Sequence, residues 1–131
     1  RIGSTSWSVI EIGIGIHGEP GRHRIPMATA DSITDQLVDP ILTDLAAPSG
    51  SKVLLFVNGM GGTPEAELYI VYNHARKRLA DAGLEVTRSL VGNYITSLEM
   101  QGCSITVLLL DDELTALWDA PVHTPALRRG L

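Results

Sequence analysis

The sequence predicts an α/β domain in which a mixed β-sheet is packed with helices. Three observations carry this. Short β-branched runs alternate along the chain with segments whose apolar residues recur at helical spacing. Gly- and Pro-rich stretches separate the two kinds of segment. With 131 residues, 44% of them apolar, the chain can bury one core. Residues 1–131 are therefore expected to form a single domain, with no internal repeat and no dividing linker.

Taken in order, residues 7–16 read as a first strand, because Val9, Ile10, Ile12, Ile14 and Ile16 are β-branched and mostly alternate. The following Gly15-Ile16-His17-Gly18-Glu19-Pro20-Gly21 is too rich in Gly and Pro to continue it. A helix begins at Asp31, with Ile33, Leu37, Val38, Ile41, Leu42 and Leu45 on one face. Pro40 lacks a backbone donor, so the expectation is a kink, or a second helix opened by Asp39 as cap and Pro40 at its first position. Residues 52–58 are continuously apolar after Lys52, the pattern of a strand buried on both faces.

Thr63-Pro64-Glu65 reads as a helix start, with Thr63 as cap, and Leu68, Val71, Tyr72, Ala75 and Leu79 form its buried stripe up to Gly83. A third strand follows over residues 84–91, then a weakly periodic segment, 93–102, with a short turn of helix. A fourth strand covers residues 104–110 and a short acid-capped helix residues 112–118. Pro121 and Pro125 make the end extended. The mixed sheet is expected to contain residues 9–14, 53–57, 85–90 and 105–110.

Composition excludes several function classes. A net charge of −5, with Arg76-Lys77-Arg78 as the densest basic group, disfavours nucleic acid. No apolar run approaches the ~20 residues of a membrane helix, and the start has no signal-peptide apolar region. The chain does not begin with Met, which suggests an excised or processed piece. The lone Cys103 allows no internal disulfide and no cysteine metal cage, and reads as a buried thiol in a cytoplasmic protein.

Gly13-Ile14-Gly15-Ile16-His17-Gly18 matches the dinucleotide fingerprint G-x-G-x-x-G in letters only. That fingerprint needs a helix opening at its last glycine, whereas Glu19-Pro20-Gly21 follow here and would set a carboxylate against the phosphates. His17 is the stronger feature. Its flanking glycines let a ligand approach closely, and a neutral imidazole keeps one nitrogen lone pair free when an acceptor holds the other nitrogen's proton. Glu19 is a candidate for that acceptor.

The other polar residues read as structural. The Asn58–Gly62 loop at a helix start has donors for an anion, but without a Walker Lys or Ser it reads as a tight turn packed against another domain or subunit. Asp111, Asp112 and Glu113 read as a strand stop and helix N-terminus rather than a metal cluster. His23 is expected in solvent, His74 on the outer face of its helix, and His123 holding down the tail. Tyr69 and Trp118 are expected as core or interface aromatics.

The run from Gly13 to Gly21 resembles the Gly-Ile-His-Gly-Glu-Pro-Gly segment of the dihydroxyacetone kinase K subunit. Val57-Asn58, Gly61-Gly62-Thr63-Pro64, Glu67-Leu68-Tyr69, Ala82-Gly83-Leu84, Thr96-Ser97-Leu98-Glu99-Met100, Ser104-Ile105-Thr106 and the closing Leu117-Trp118-Asp119-Ala120-Pro121-Val122-His123-Thr124-Pro125-Ala126-Leu127 are similar to that family in the same order. The resemblance covers nearly the whole chain. It implies the fold of the family's C-terminal, substrate-anchoring domain, with the N-terminal domain absent.

It further implies that His17 is the catalytic anchor, bonding covalently to the carbonyl carbon of dihydroxyacetone as a hemiaminal, with His17, Gly18 and Glu19 as substrate-binding residues. Arg24 matches a family Arg that braces this loop. No cofactor or metal is expected in this domain. ADP or ATP and Mg would be held by a nucleotide-binding L subunit or fused domain, and the intact protein is expected to be a homodimer. The family's Gly-Ser-Gly-His loop and its proton-abstracting Asp have no counterpart here, so the fragment alone is expected to be inactive. A dihydroxyacetone-sensing coactivator that regulates transcription would use the same histidine.

Overall fold

The computed structural model describes residues 9–17 and 19–130. Its elements run β1 (Val9–Ile12), β2 (His23–Pro26), α1 (Ala30–Leu45), β3 (Lys52–Gly59), α2 (Glu65–Asp81), β4 (Glu85–Gly92), β5 (Cys103–Leu109), α3 (Asp112–Asp119), β6 (Val122–His123) and β7 (Arg128–Arg129). The central sheet has the order β4-β3-β5, with β3 parallel to β4 and antiparallel to β5. It is a mixed sheet packed with helices, as the alternating pattern predicts.

Strand β3 is central because its sequence suits no other place. Val53, Leu55 and Val57 are fully buried and join Val38 of α1 and Leu68, Ala75 and Leu79 of α2 in one core. Burying a side chain of this size contributes about 1.5–3 kcal/mol. α1 and α2 also pack on each other, and polar groups line their seam. His74 of α2 lies 2.8 Å from Asp35 and 3.3 Å from Asp31, and Arg78 pairs with Asp35 and Asp39. His74 is thus held between helices rather than on an outer face. The acid at every fourth position of α1 turns toward α2 and draws it in.

Three local expectations change. The strand expected at residues 9–14 is shorter and stays out of the central sheet; β1 pairs with β2 in a separate antiparallel hairpin. α1 runs through Pro40 as one helix, which excludes the second helix expected to open at Asp39 and Pro40, and Thr29 caps it, its hydroxyl accepting from the Ser32 N–H. Thr63 does not cap α2. Its hydroxyl exchanges hydrogen bonds with the Gly102 backbone at 3.0 and 2.9 Å, and Pro64 takes the cap position.

Residues 93–102 form no helix, and the tail folds back as the β6–β7 hairpin, where Arg129 lies 4.7 Å from the Trp118 ring centre. At the sheet edge, Thr87 is an extra residue between the pairs Val53–Val86 and Leu54–Arg88, and the Arg88 guanidinium takes its carbonyl. A bulge and a covered carbonyl both discourage further strand pairing there.

Candidate functional site

His17 stands in the loop that joins β1 to β2. Two backbone bonds close this loop in stages: the Arg22 N–H donates to the Ile12 carbonyl (2.7 Å), and further out the Gly15 N–H donates to the Glu19 carbonyl (3.2 Å). His17 is the middle residue of that outer turn. Pro20 disfavours a helical backbone at the preceding Glu19 and so helps return the chain.

Glu19 organises the tip. One carboxylate oxygen accepts the His17 backbone N–H at 3.1 Å, and the other lies 3.4 Å from His17 Nδ1. A Cβ on Gly15 would stand 1.9 Å from Glu19 Oε2, so this arrangement requires glycine at 15. The Glu19 carboxyl is held below the usual range, chiefly by its own backbone N–H and then by the His17 N–H and ring. It therefore stays ionised beside the imidazole. The imidazole is 81% exposed, and no hydrogen bond to Nε2 occurs among the described residues. Geometrically, one ring nitrogen faces an ionised acceptor and the other faces open space. Gly18, the third expected substrate contact, lies outside the described residues.

The base of the loop is fastened by Glu11, whose role sequence reasoning missed. Its carboxylate accepts the Gly21 N–H at 2.9 Å and pairs with Arg24 at 3.2 Å, which lowers its pKa. Arg24 thus acts on the base of the hairpin, not on the imidazole. The available signal was an acid set among β-branched residues on a short strand.

The remaining candidates separate from His17. The Gly59–Gly62 turn has its donors taken: Met60 N–H by the Gly102 carbonyl, Gly61 N–H by Asn93 Oδ1, Gly62 N–H by the Met100 carbonyl. It is a packed turn, as expected, but its packing partner is the 93–102 segment of this same chain. Asp111 caps α3 by accepting the Leu114 N–H, with Asp112 and Glu113 in the first turn. His23 is exposed, 3.4 Å from Gln36, and His123 lies in β6. Cys103 is half-buried, and burial raises its thiol pKa. Among the described residues, no three His, Cys, Asp or Glu side chains converge as a metal site. No helix of the structure is long and apolar enough to cross a membrane.

Comparison with known proteins places these features in context. Residues 4–126 match the model of the Dak1 domain. The chain is 43% identical, over 92% of its length, to the PEP-dependent dihydroxyacetone kinase, dihydroxyacetone-binding subunit DhaK of Escherichia coli, of which it covers 41%. It is 44% identical over 91% of its length to the L-erythrulose 1-kinase of Mycolicibacterium smegmatis, covering 22% of that protein. The solved dihydroxyacetone kinase operon co-activator Dha-DhaQ superposes with a TM-score of 0.82 at 29% identity, over 88% of this chain and 37% of that one. The chain therefore spans well under half the length of the relatives it matches.

Proposed function

The chain belongs to the Dak1 domain family, and on that premise we propose that it carries the substrate anchor of a kinase for dihydroxyacetone or a similarly short ketose. The observation that carries this reading is the geometry of His17, an exposed imidazole with Nδ1 beside an ionised carboxylate and Nε2 open.

With the proton on Nδ1, the Nε2 lone pair adds to the ketone carbon, and the carbonyl π pair moves onto oxygen. That oxygen gains a proton while Nδ1 gives one up through Glu19 or water. The product is a neutral hemiaminal, with no atom gained or lost overall. Glycerol has no carbonyl and cannot form it, so the bond supplies a discrimination that shape alone would not give for a three-carbon polyol.

Phosphoryl transfer to a terminal hydroxyl of the anchored ketose then depends on positioning and charge stabilisation. The nucleotide and Mg belong to a separate L subunit or fused domain. The hydroxyl's proton acceptor belongs to another domain of the full protein, a cytoplasmic homodimer, and this chain alone is inactive.

A second reading, a ketose-sensing coactivator, is favoured by the co-activator's matching fold. Both readings need the adduct; only the kinase produces dihydroxyacetone phosphate when the intact protein receives its phosphoryl donor and partner.

The test is carbon-13 NMR of the intact protein with dihydroxyacetone labelled at the carbonyl carbon. A bound resonance should appear in the tetrahedral range and vanish in His17→Ala, with the fold retained. Loss of the bond should also bring the affinities for dihydroxyacetone and glycerol closer together. An unchanged preference for dihydroxyacetone in His17→Ala would remove the anchoring role.

A further inference from the structure

We propose that Glu11 is a positioning residue for the ketose adduct: from the base of the hairpin it sets where the Glu19 carboxylate stands, and through Glu19 the His17 imidazole. This role rests on the adduct chemistry proposed above and adds to it a residue that acts only through others. Glu11 is 29% exposed against 81% for His17, so its carboxylate works within the hairpin while the imidazole stands outside it.

The hairpin is built in three rungs, each a side chain lying across a glycine of the facing limb. Glu11 lies across Gly21, Arg22 across Gly13 and Glu19 across Gly15. A Cβ on those glycines would stand 2.4 Å from Glu11 Cγ, 2.8 Å from Arg22 Cγ and 1.9 Å from Glu19 Oε2. The first and last rungs are joined by three consecutive residues, Glu19-Pro20-Gly21. At one end, Glu11 Oε1 accepts the Gly21 N–H at 2.9 Å, and Arg24 holds Glu11 Oε2 at 3.2 Å, so both carboxylate oxygens are fixed. At the other end, the Glu19 carboxylate accepts the His17 N–H at 3.1 Å. Between them, Pro20 has its φ locked by its ring and no N–H to bond elsewhere. A displacement of Gly21 therefore passes through one stiff residue to the group that orients the imidazole.

The consequence for binding is specific. Addition needs Nε2 held in line with the ketone carbon, and a wandering imidazole forms the same bond at a higher cost in order. Losing the Glu11 grip should weaken the adduct in every molecule and leave each one able to form it at saturation. A merely structural role would do the reverse: protein lost to misfolding lowers the saturating yield and leaves the midpoint of the titration where it was.

The test titrates the intact protein with carbonyl-labelled dihydroxyacetone and follows the tetrahedral carbon-13 resonance at neutral pH. Glu11→Ala should raise the midpoint about fivefold with the plateau unchanged. Glu11→Gln, whose amide oxygen still accepts the Gly21 N–H, should recover most of that loss. Gly21→Ala presses a methyl group on the Glu11 side chain and should raise the midpoint about as much as Glu11→Ala. In the double variant the collision is gone, so its midpoint should match Glu11→Ala alone and fall short of the product of the two effects. Any of three results overturns the positioning role: midpoints within about twofold of wild type for Glu11→Ala and Gly21→Ala, a lowered plateau at an unchanged midpoint, or single effects that multiply in the double variant. So does Glu11→Gln as impaired as Glu11→Ala. In each case a wild-type resonance that depends on His17 leaves the anchor itself standing. A wild-type protein without that resonance overturns the anchor, and the role of Glu11 with it.

Discussion

The His17 loop and the Gly59–Gly62 turn are both glycine-rich departures from a strand, yet they are held by different means. The turn is gripped from afar: Asn58 reaches the 93–102 segment from the buried end of β3, and backbone bonds complete the clasp. The His17 loop is gripped by its own neighbours, with Glu19 at the tip and Glu11 at the base, both at carboxylates in contact with solvent. The comparison shows how one small chain divides its work. Long-range bonds to a buried amide fix the sheet end, while short-range bonds orient the reactive imidazole without enclosing it.

Breaking the long-range grip should cost most. Asn58→Ala leaves three backbone groups without partners, and the intact protein should lose about 3 kcal/mol in denaturant unfolding, at roughly 1–3 kcal/mol for a buried group left unpaired. Gly61→Ala should follow, at about 2 kcal/mol, because φ is +115° and the Leu98 carbonyl blocks a Cβ. A Gly61→Ala protein as stable as wild type would mean that the clasp does not hold this end.

The short-range grip should fail differently. Gly15→Ala displaces the Glu19 carboxylate, so the yield of the ketose adduct should fall at least tenfold in the NMR assay. Global stability should change by no more than about 0.5 kcal/mol, as for a surface position. A large drop in Tm with adduct yield intact would reverse the comparison.

The smallest effect is a pH dependence at the hairpin base. The Gly21 N–H bond, with Arg24, depresses the Glu11 pKa, so its fastening is present above the ordinary glutamate value of 4.5 and is lost as pH falls through the lower folded value. Hydrogen exchange at the Gly21 amide should therefore stay protected near neutrality. Below that ordinary value it should lose protection relative to the Val57 amide in the core, and Glu11→Gln should flatten the difference.

The parts of the fold legible in the sequence are those where burial imposes a period. The continuous apolar run of β3 and the stripes of α1 and α2 announce themselves, because each faces the core formed by Val38, Val53, Leu55, Leu68 and Leu79. β2, with His23, Arg24 and a terminal Pro26, has no such period and is a strand only because β1 pairs with it. β6 and β7 are two residues each, too short for any pattern. His74 was misplaced because its partners Asp31 and Asp35 lie 43 and 39 positions away, and only the packing of α1 on α2 unites them. At the site, His17 and Glu19 are adjacent enough to be paired from sequence. The Glu11–Arg24 contact needed the hairpin register, Glu11 opposite Arg24, which no local signal fixes.

The seam between α1 and α2 also bears on movement. Asp31, Asp35 and Asp39 recur one turn apart, as do His74 and Arg78, so the charged groups mesh like teeth on two racks. A slide of half a turn, about 3 Å, would set tooth against tooth, and Val38 in the core resists a slip of a whole turn. α1 and α2 then travel as one piece. Only Met27, Ala28 and Thr29 separate β2 from α1, so the hairpin that carries His17 is joined by a three-residue link to the start of this interlocked helix pair.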